Sequence, residues 1–297
     1  MKLALISAAG LAAVLGAAVL AMPEDPMPTG RARLVQPWKN RFVRLEPDQD
    51  MKIDAPRGGW GGPVVVDGGR HVILDGHGEN LSRLQFKHTT GSVTISDVRI
   101  FLDEEGDAID VASRNGRSPD VTLRNIVAGG LRGSRDTIHS DIFQGQGDIG
   151  QLTITNLVGS SGYQGIFLKG TPDRSVKSAT LERVWLSHSG AAAGFLLWFG
   201  DGVRIMPDGQ RKGMAAPRFP VYLKDVYVTP RPGQDLGRSI YPNKGVIDAQ
   251  GREIGAFSTD GGRTWRWPPA ANIHGVVISG PPPKGMFPKE MLEQASR

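Results

Sequence analysis

The chain has 297 residues, with 40 Gly, 21 Pro and no Cys; 39% of residues are hydrophobic and 22% charged. That length allows a sizeable core. The absence of Cys excludes a disulfide scaffold, a zinc–thiolate site, an iron–sulfur cluster and a Cys nucleophile. Gly without a Gly-X-Y period excludes collagen, and its cost of about 1 kcal/mol relative to Ala in a helix argues against a helical bundle.

Residues 1–21 read as a secretory signal peptide. Met1-Lys2 is a short basic start, Leu3 to Leu20 is apolar apart from small residues, and Val19-Leu20-Ala21 suits a cleavage point after Ala21. The rival reading is an uncleaved anchor, since about 18 apolar residues can just span a bilayer. Export to a periplasmic or extracellular location is expected. Removing Lys2 with the segment lowers the net charge from +5 to +4. The arginines are scattered rather than clustered with aromatics. Nucleic acid is therefore not the expected partner, and an acidic polysaccharide is. Once the segment is cleaved, no membrane attachment is expected.

Residues 22–37 are a Pro-rich linker. Residues 38–70 are expected to cap the first structural repeat. From there a pattern recurs: apolar, any, apolar, any, Asn/Asp/Gly, apolar, any, apolar. Val93–Ile100, Val121–Ala128, Leu152–Gly159, Ala179–Leu186 and Val221–Val228 follow it, with Val72–Gly76 an early and Ala271–Ile278 a late copy. The alternation marks short strands with one buried face. The turn slots Asp97, Asn125, Asn156 and Asp225 suit a bend that needs unusual φ/ψ; Arg183 stands in the equivalent slot. The shorter spacings suit one coil of a solenoid.

A second strand type lies between these copies: Asp107–Val111, Asp141–Gln144, Gln164–Lys169 and Ala193–Trp198. Gly106-Asp-Ala-Ile-Asp110 and His139-Ser-Asp-Ile-Phe-Gln144, with Asn125 and Asn156 as an asparagine ladder, resemble the right-handed parallel β-helix proteins of the pectate-lyase-like superfamily. The resemblance covers about residues 60–280 and extends to no particular lyase or hydrolase family. It implies an all-β, single-stranded right-handed parallel β-helix of about six to eight coils, occupying residues 38–285. Residues 200–218 would form a lateral insertion, a hairpin or lid with a Pro207-Asp208-Gly209 turn.

Ser258-Thr-Asp260-Gly-Gly262-Arg-Thr264-Trp265 matches the Asp-box pattern and resembles the turns of sialidase-type propellers. Its single copy makes it a folding device within a hairpin over 252–267. Residues 286–297 form a C-terminal tail with a short helix after Pro288.

The densest chemistry lies between Arg132 and Gln146. If Phe143 points inward with Ile109, Ile166 and Phe195, one lateral face carries Asp110, Gln144, Gln146, Phe167, Lys169 and Trp198, rimmed by His139 and Asp141. Two reactions fit. In β-elimination of a uronate, Lys169, His139 or Arg135 is the base; Ca²⁺ on Asp107, Asp110 and Asp141, or an Arg, neutralises the carboxylate. In glycoside hydrolysis, Asp110 and Asp141 are the available pair. Gln144, Gln146, Phe167 and Trp198 would bind the sugar chain. The expected activity is a polysaccharide lyase ahead of a hydrolase. The alternative is a non-catalytic protein binding an envelope or extracellular glycan, or a partner protein. In a purely structural reading these Asp residues bond turn amides, and Phe167, Leu196 and Trp198 lie under the insertion or the tail.

Overall fold

The computed structural model describes residues 33–34, 42–113, 116–170, 175–190, 194–205, 211–248 and 251–295. The proposed leader, most of the Pro-rich linker and the Pro207-Asp208-Gly209 turn lie outside the described residues.

The described chain is nearly all β, in two long sheets whose strands pair almost entirely in parallel. Successive strands go alternately to the two sheets. The first takes Met51–Asp54, His71–Asp75, Ser92–Phe101, Asp120–Leu131, Ile149–Ser161, Val176–His188 and Val221–Thr229 in that order. The second takes Phe42–Arg44, Val64–Asp67, Leu84–Lys87, Ile109–Ser113, Phe143–Gly147, Ile166–Gly170 and Leu197–Ile205.

The register stacks like on like. Val72, Val93, Val121, Leu152 and Ala179 face one another across the first sheet. Leu84, Ile109, Phe143, Ile166 and Leu197 do so across the second. All these side chains are buried in one core shared by both sheets. Each fully buried Leu, Ile or Phe contributes about 1.5–3 kcal/mol by leaving water.

The bends have a clear physical cause. Asp97, Asn125, Asn156, Arg183 and Asp225 all hold φ between 52° and 56°. Asn and Asp tolerate this left-handed region better than other side chains. Asn156 Nδ2 donates to Asn125 Oδ1 at 2.9 Å, and Asn125 Nδ2 donates to Asp97 Oδ1 at 2.9 Å. The turn row is thus also a side-chain ladder.

Several expectations need correction. Residues 42–70 are not a separate cap: they contribute three strands in parallel register with those that follow. Phe195 is not in the inward row. Leu197 pairs with Ile166, which puts Trp198 beside Phe167 rather than beside Lys169. Leu196, expected to face outward, is fully buried.

The 200–218 region is an antiparallel hairpin of Leu197–Ile205 with Arg211–Ala215, continuing a strand of the second sheet. Phe257 and Arg266 exchange backbone hydrogen bonds of 2.9 and 3.0 Å across the Ser258–Trp265 turn. In that turn the backbone N–H and hydroxyl of Thr264 hold the Asp260 carboxyl down to about 2.

The C-terminal tail crosses the first sheet. Phe287 is buried against Val127 and Val158, ahead of the helix Lys289–Ala295.

Candidate active site

Side chains on the outer face of the second sheet fall into rows. One row runs Gln85, Asp110, Gln144, Phe167, Trp198, Tyr241. Beside it runs Lys87, Ala112, Gln146, Lys169. Gln146 is exposed and Gln144, Phe167, Lys169 and Trp198 are half-buried, while Asp110 and Tyr241 are buried.

Asp107 and Asp141 stand at equivalent positions, each two residues before an inward side chain that pairs with the other (Ile109 with Phe143). The local chain fixes them. Ser140 Oγ accepts the Gly106 N–H at 2.7 Å and donates to the Arg132 carbonyl. The Ala108 N–H donates to the Asp141 carbonyl at 2.8 Å. The Asp141 N–H donates to Asp107 Oδ1 at 2.9 Å. Asp107 thus does bond a turn amide, as the structural reading expected. Asp141 does not: both its carboxylate oxygens are buried, with the Asp107 carboxyl as their polar neighbour.

Burial dominates the electrostatics of this trio. It pushes Asp107 up to about 6, against the Asp141 N–H bond and with the help of the Asp110 charge. It pushes Asp141 well above the carboxylate range, reinforced by the adjacent Asp107 carboxyl and by Asp110. Asp110 is raised by burial too, opposed by the 2.6 Å bond from Gln85 Nε2 and by the Lys87 charge. Two carboxyls on adjacent strands, one fully enclosed, cannot both ionise cheaply. Asp107 and Asp141 therefore behave as a pair that holds a proton.

Of twelve buried side-chain polar atoms without a well-formed hydrogen bond among the described residues, five lie on this face or its edge. They are Asp110 Oδ1, both Asp141 oxygens, Gln164 Oε1 and Trp198 Nε1. Native proteins leave few such groups, and each calls for an explanation.

Next to the carboxyls is an aromatic cluster. Phe167 and Trp198 meet edge-on with centroids 4.4 Å apart. Phe195 lies 5.7 Å from Trp198 and 5.5 Å from Tyr241, and Trp198 lies 5.7 Å from Tyr241. At the other edge His139 is exposed, with its ring 5.2 Å from Tyr163. Burial raises the Tyr163 hydroxyl, the nearby Arg135 charge opposes this, and Asp141 and Asp136 add to it.

The residues expected to form the site thus divide. Asp107, Asp110 and Asp141 come together, Gln144 joins the Asp110 row, and Gln146 Nε2 donates to Gln144 Oε1 at 2.7 Å. Phe167 and Trp198 pack together. Lys169 lies beside Gln146. His139 and Arg135 are exposed on the loop edge. Gln85, Lys87, Tyr163, Gln164, Phe195 and Tyr241 were missed. The alternation Leu84-Gln85-Phe86-Lys87 already pointed Gln85 and Lys87 outward.

The residues do not fit Ca²⁺. That ion takes six to eight oxygens, but Asp107, Asp110 and Asp141 do not bring three ligand atoms within 4.8 Å of one another. Among the described residues only Asp54, Asp75 and His77 bring three ligand atoms within 4.8 Å of one another. There Lys52 Nζ already sits 3.1 Å from Asp54 Oδ1, and the two His77 ring nitrogens face the two carboxylates at 3.4 Å.

A scan of family models found no match to the chain, and searches of curated proteins and of solved structures found none either.

Proposed function

We propose that the chain is an exported right-handed parallel β-helix that hydrolyses an acidic polysaccharide on the outer face of its second sheet. The alternation of strands between two parallel sheets and the stacked turn row support the winding. The single observation that carries the activity is the buried Asp107–Asp141 pair beside Asp110, with its enclosed oxygens and raised pKa values.

Hydrolysis needs a carboxyl that keeps its proton near neutral pH and a second, ionised one. Asp107 is half-buried and reachable, so it donates its proton to the glycosidic oxygen. Asp141 lies behind it and acts through it, as a positioning residue. Asp110, held by Gln85, takes the proton of the attacking water as the C–O bond breaks.

Lys87 and Lys169 explain the preference for an acidic chain. Both lie on the same outer row, three strand spacings or about 14 Å apart, and neither is within ion-pair distance of a carboxylate among the described residues. They are placed to receive uronate carboxylates. The aromatic cluster offers ring faces for sugar stacking.

This reading places hydrolysis ahead of elimination, because the buried Asp107–Asp141 pair holds a proton that an acid step can use. Incubation with a panel of uronate polymers tests it. New reducing ends without absorbance at about 235 nm indicate hydrolysis, whereas that absorbance indicates proton abstraction and elimination. Neither signal on any polymer sinks both readings and leaves glycan binding alone.

A further inference from the structure

A second concavity opens on the loop edge that carries Asp107 and Asp141, toward the N-terminal strands. It has a volume of about 710 Å³ and is lined by Gly58, Gly59, Trp60, Gly61, Asn80 and Ser82, closed by the segment Phe101–Glu104. Its walls come from the loops after three successive strands of the first sheet: Met51–Asp54, His71–Asp75 and Ser92–Phe101. Ser82 precedes Leu84 by two residues, as Asp107 precedes Ile109, and Leu84 pairs with Ile109. The Ser82 side of the cavity therefore lies about one strand spacing from Asp107.

Its chemistry differs from that of the lysine row. No Lys or Arg lines it, and its two carboxylates are neutralised from outside. Glu104 Oε1 lies 3.2 Å from Arg83 Nη2, and Asp103 pairs with Arg132. A carboxylate entering here would meet two acidic side chains and no unpaired cation. What remains is a large indole, packed on the core by one side, beside a stretch of chain without side chains. A Cβ at Gly58 or Gly61 would meet nothing within 4 Å. Asn80 and Ser82 add an amide and a hydroxyl. An aromatic wall with neutral donors and acceptors is the chemistry that takes the apolar face and hydroxyls of an uncharged sugar.

We infer that the Trp60 cavity is a binding subsite for a neutral sugar residue, so that the polymer combines uronates with uncharged sugars. This rests on the proposed polysaccharide activity. The Trp60 strand gap and Trp198 are separated by five strand spacings, about 24 Å, which a chain of several sugars spans.

The test is calorimetric titration of the full chain with xylohexaose, mannohexaose and cellohexaose separately, and with hexagalacturonate. At least one neutral hexamer should bind. Trp60→Ala should weaken it about tenfold or more, in keeping with loss of an aromatic anchor, and leave hexagalacturonate affinity unchanged. Gly61→Arg fills the mouth of the cavity at an unstrained position. It should have the same effect should Trp60→Ala fail to fold. Asp107→Asn should abolish hydrolysis yet leave the neutral hexamer bound, which separates this subsite from the catalytic reading. Failure of every neutral hexamer to bind, or binding indifferent to both cavity variants, would overturn the inference.

Discussion

Asp107 and Asp141 sit one strand apart, the first half-buried and the second enclosed, and this arrangement sets how pH acts on the protein. The folded Asp107 carboxyl titrates at about 6, above its ordinary 3.8. The native state therefore binds the proton more tightly than the unfolded chain does. That contribution to stability is fully present below about pH 4 and is lost as pH rises through about 6. Asp141→Asn removes the more deeply buried carboxyl of the pair, whose charge burial opposes most. It should raise the thermal midpoint relative to the native chain at pH 8, and the gain should shrink toward pH 4. A midpoint that falls equally at both pH values would mean the pair is an ordinary hydrogen-bonded structural unit. The same logic gives a rate profile. Hydrolysis should decline as pH rises through about 6, because Asp107 must carry the proton. In Asp141→Ala that limb should shift to higher pH, because the hydrogen bond from the Asp141 side chain that holds Asp107 down is lost, an effect that a packing role alone would not produce.

At the scale of elements, the left-handed turn row is where sequence and structure agree best. Asn125, Asn156, Asp97 and Asp225 combine a residue preference with a fixed place in a two-strand pattern, and both signals are local. Arg183 departs from the preference and still adopts φ 52°. A non-Gly side chain there is held against a cost of about 1–2 kcal/mol, which Asn lessens by local hydrogen bonding. Arg183→Asn should therefore stabilise the chain by about 0.5–1 kcal/mol, read by denaturant unfolding; a loss would mean the Arg183 side chain makes a compensating contact.

Other elements were not legible for physical reasons. Phe195-Leu196-Leu197 is a continuous apolar run, so alternation could not choose between Phe195 and Leu197 as the inward residue. Phe42–Arg44 and Ile240–Tyr241 are too short to show a period, which hid the N-terminal strands and the Tyr241 ring. Val127 and Val158 occupy outward slots yet are apolar, because Phe287 from the far end of the chain covers them. Phe287→Ala should release this strap. It should cost roughly 3–5 kcal/mol if the strap unfolds with the body, and far less, with early proteolysis after residue 280, if it peels away alone.

Across the described residues, one continuous core joins the two sheets, and the proposed site lies on its outer side. The inward rows could be read from sequence because burial repeats with period two over many strands. The site was only partly legible, since it is made by lateral stacking. Gln85, Asp110, Gln144 and Phe167 are 25, 34 and 23 residues apart in sequence and adjacent in register. His139 and Arg135 drew attention by residue type, and the structure puts both on the exposed loop edge, with the half-buried Asp107 and buried Asp141 carboxyls further in. The proposed acid–base step is carried by the carboxyls alone and routes nothing through a metal. Chelation should leave its rate unchanged, and a chelator-sensitive rate would return attention to the elimination reading. The account turns on whether the Asp107–Asp141 pair performs acid catalysis on a uronate chain. The most direct measurement is release of reducing ends from uronate polymers by the purified chain and by Asp107→Asn at matched thermal stability. The account predicts new ends from the native chain, no absorbance near about 235 nm, and a rate reduced about a hundredfold or more in the variant. Equal rates in the two proteins, or no new ends from either, would contradict it.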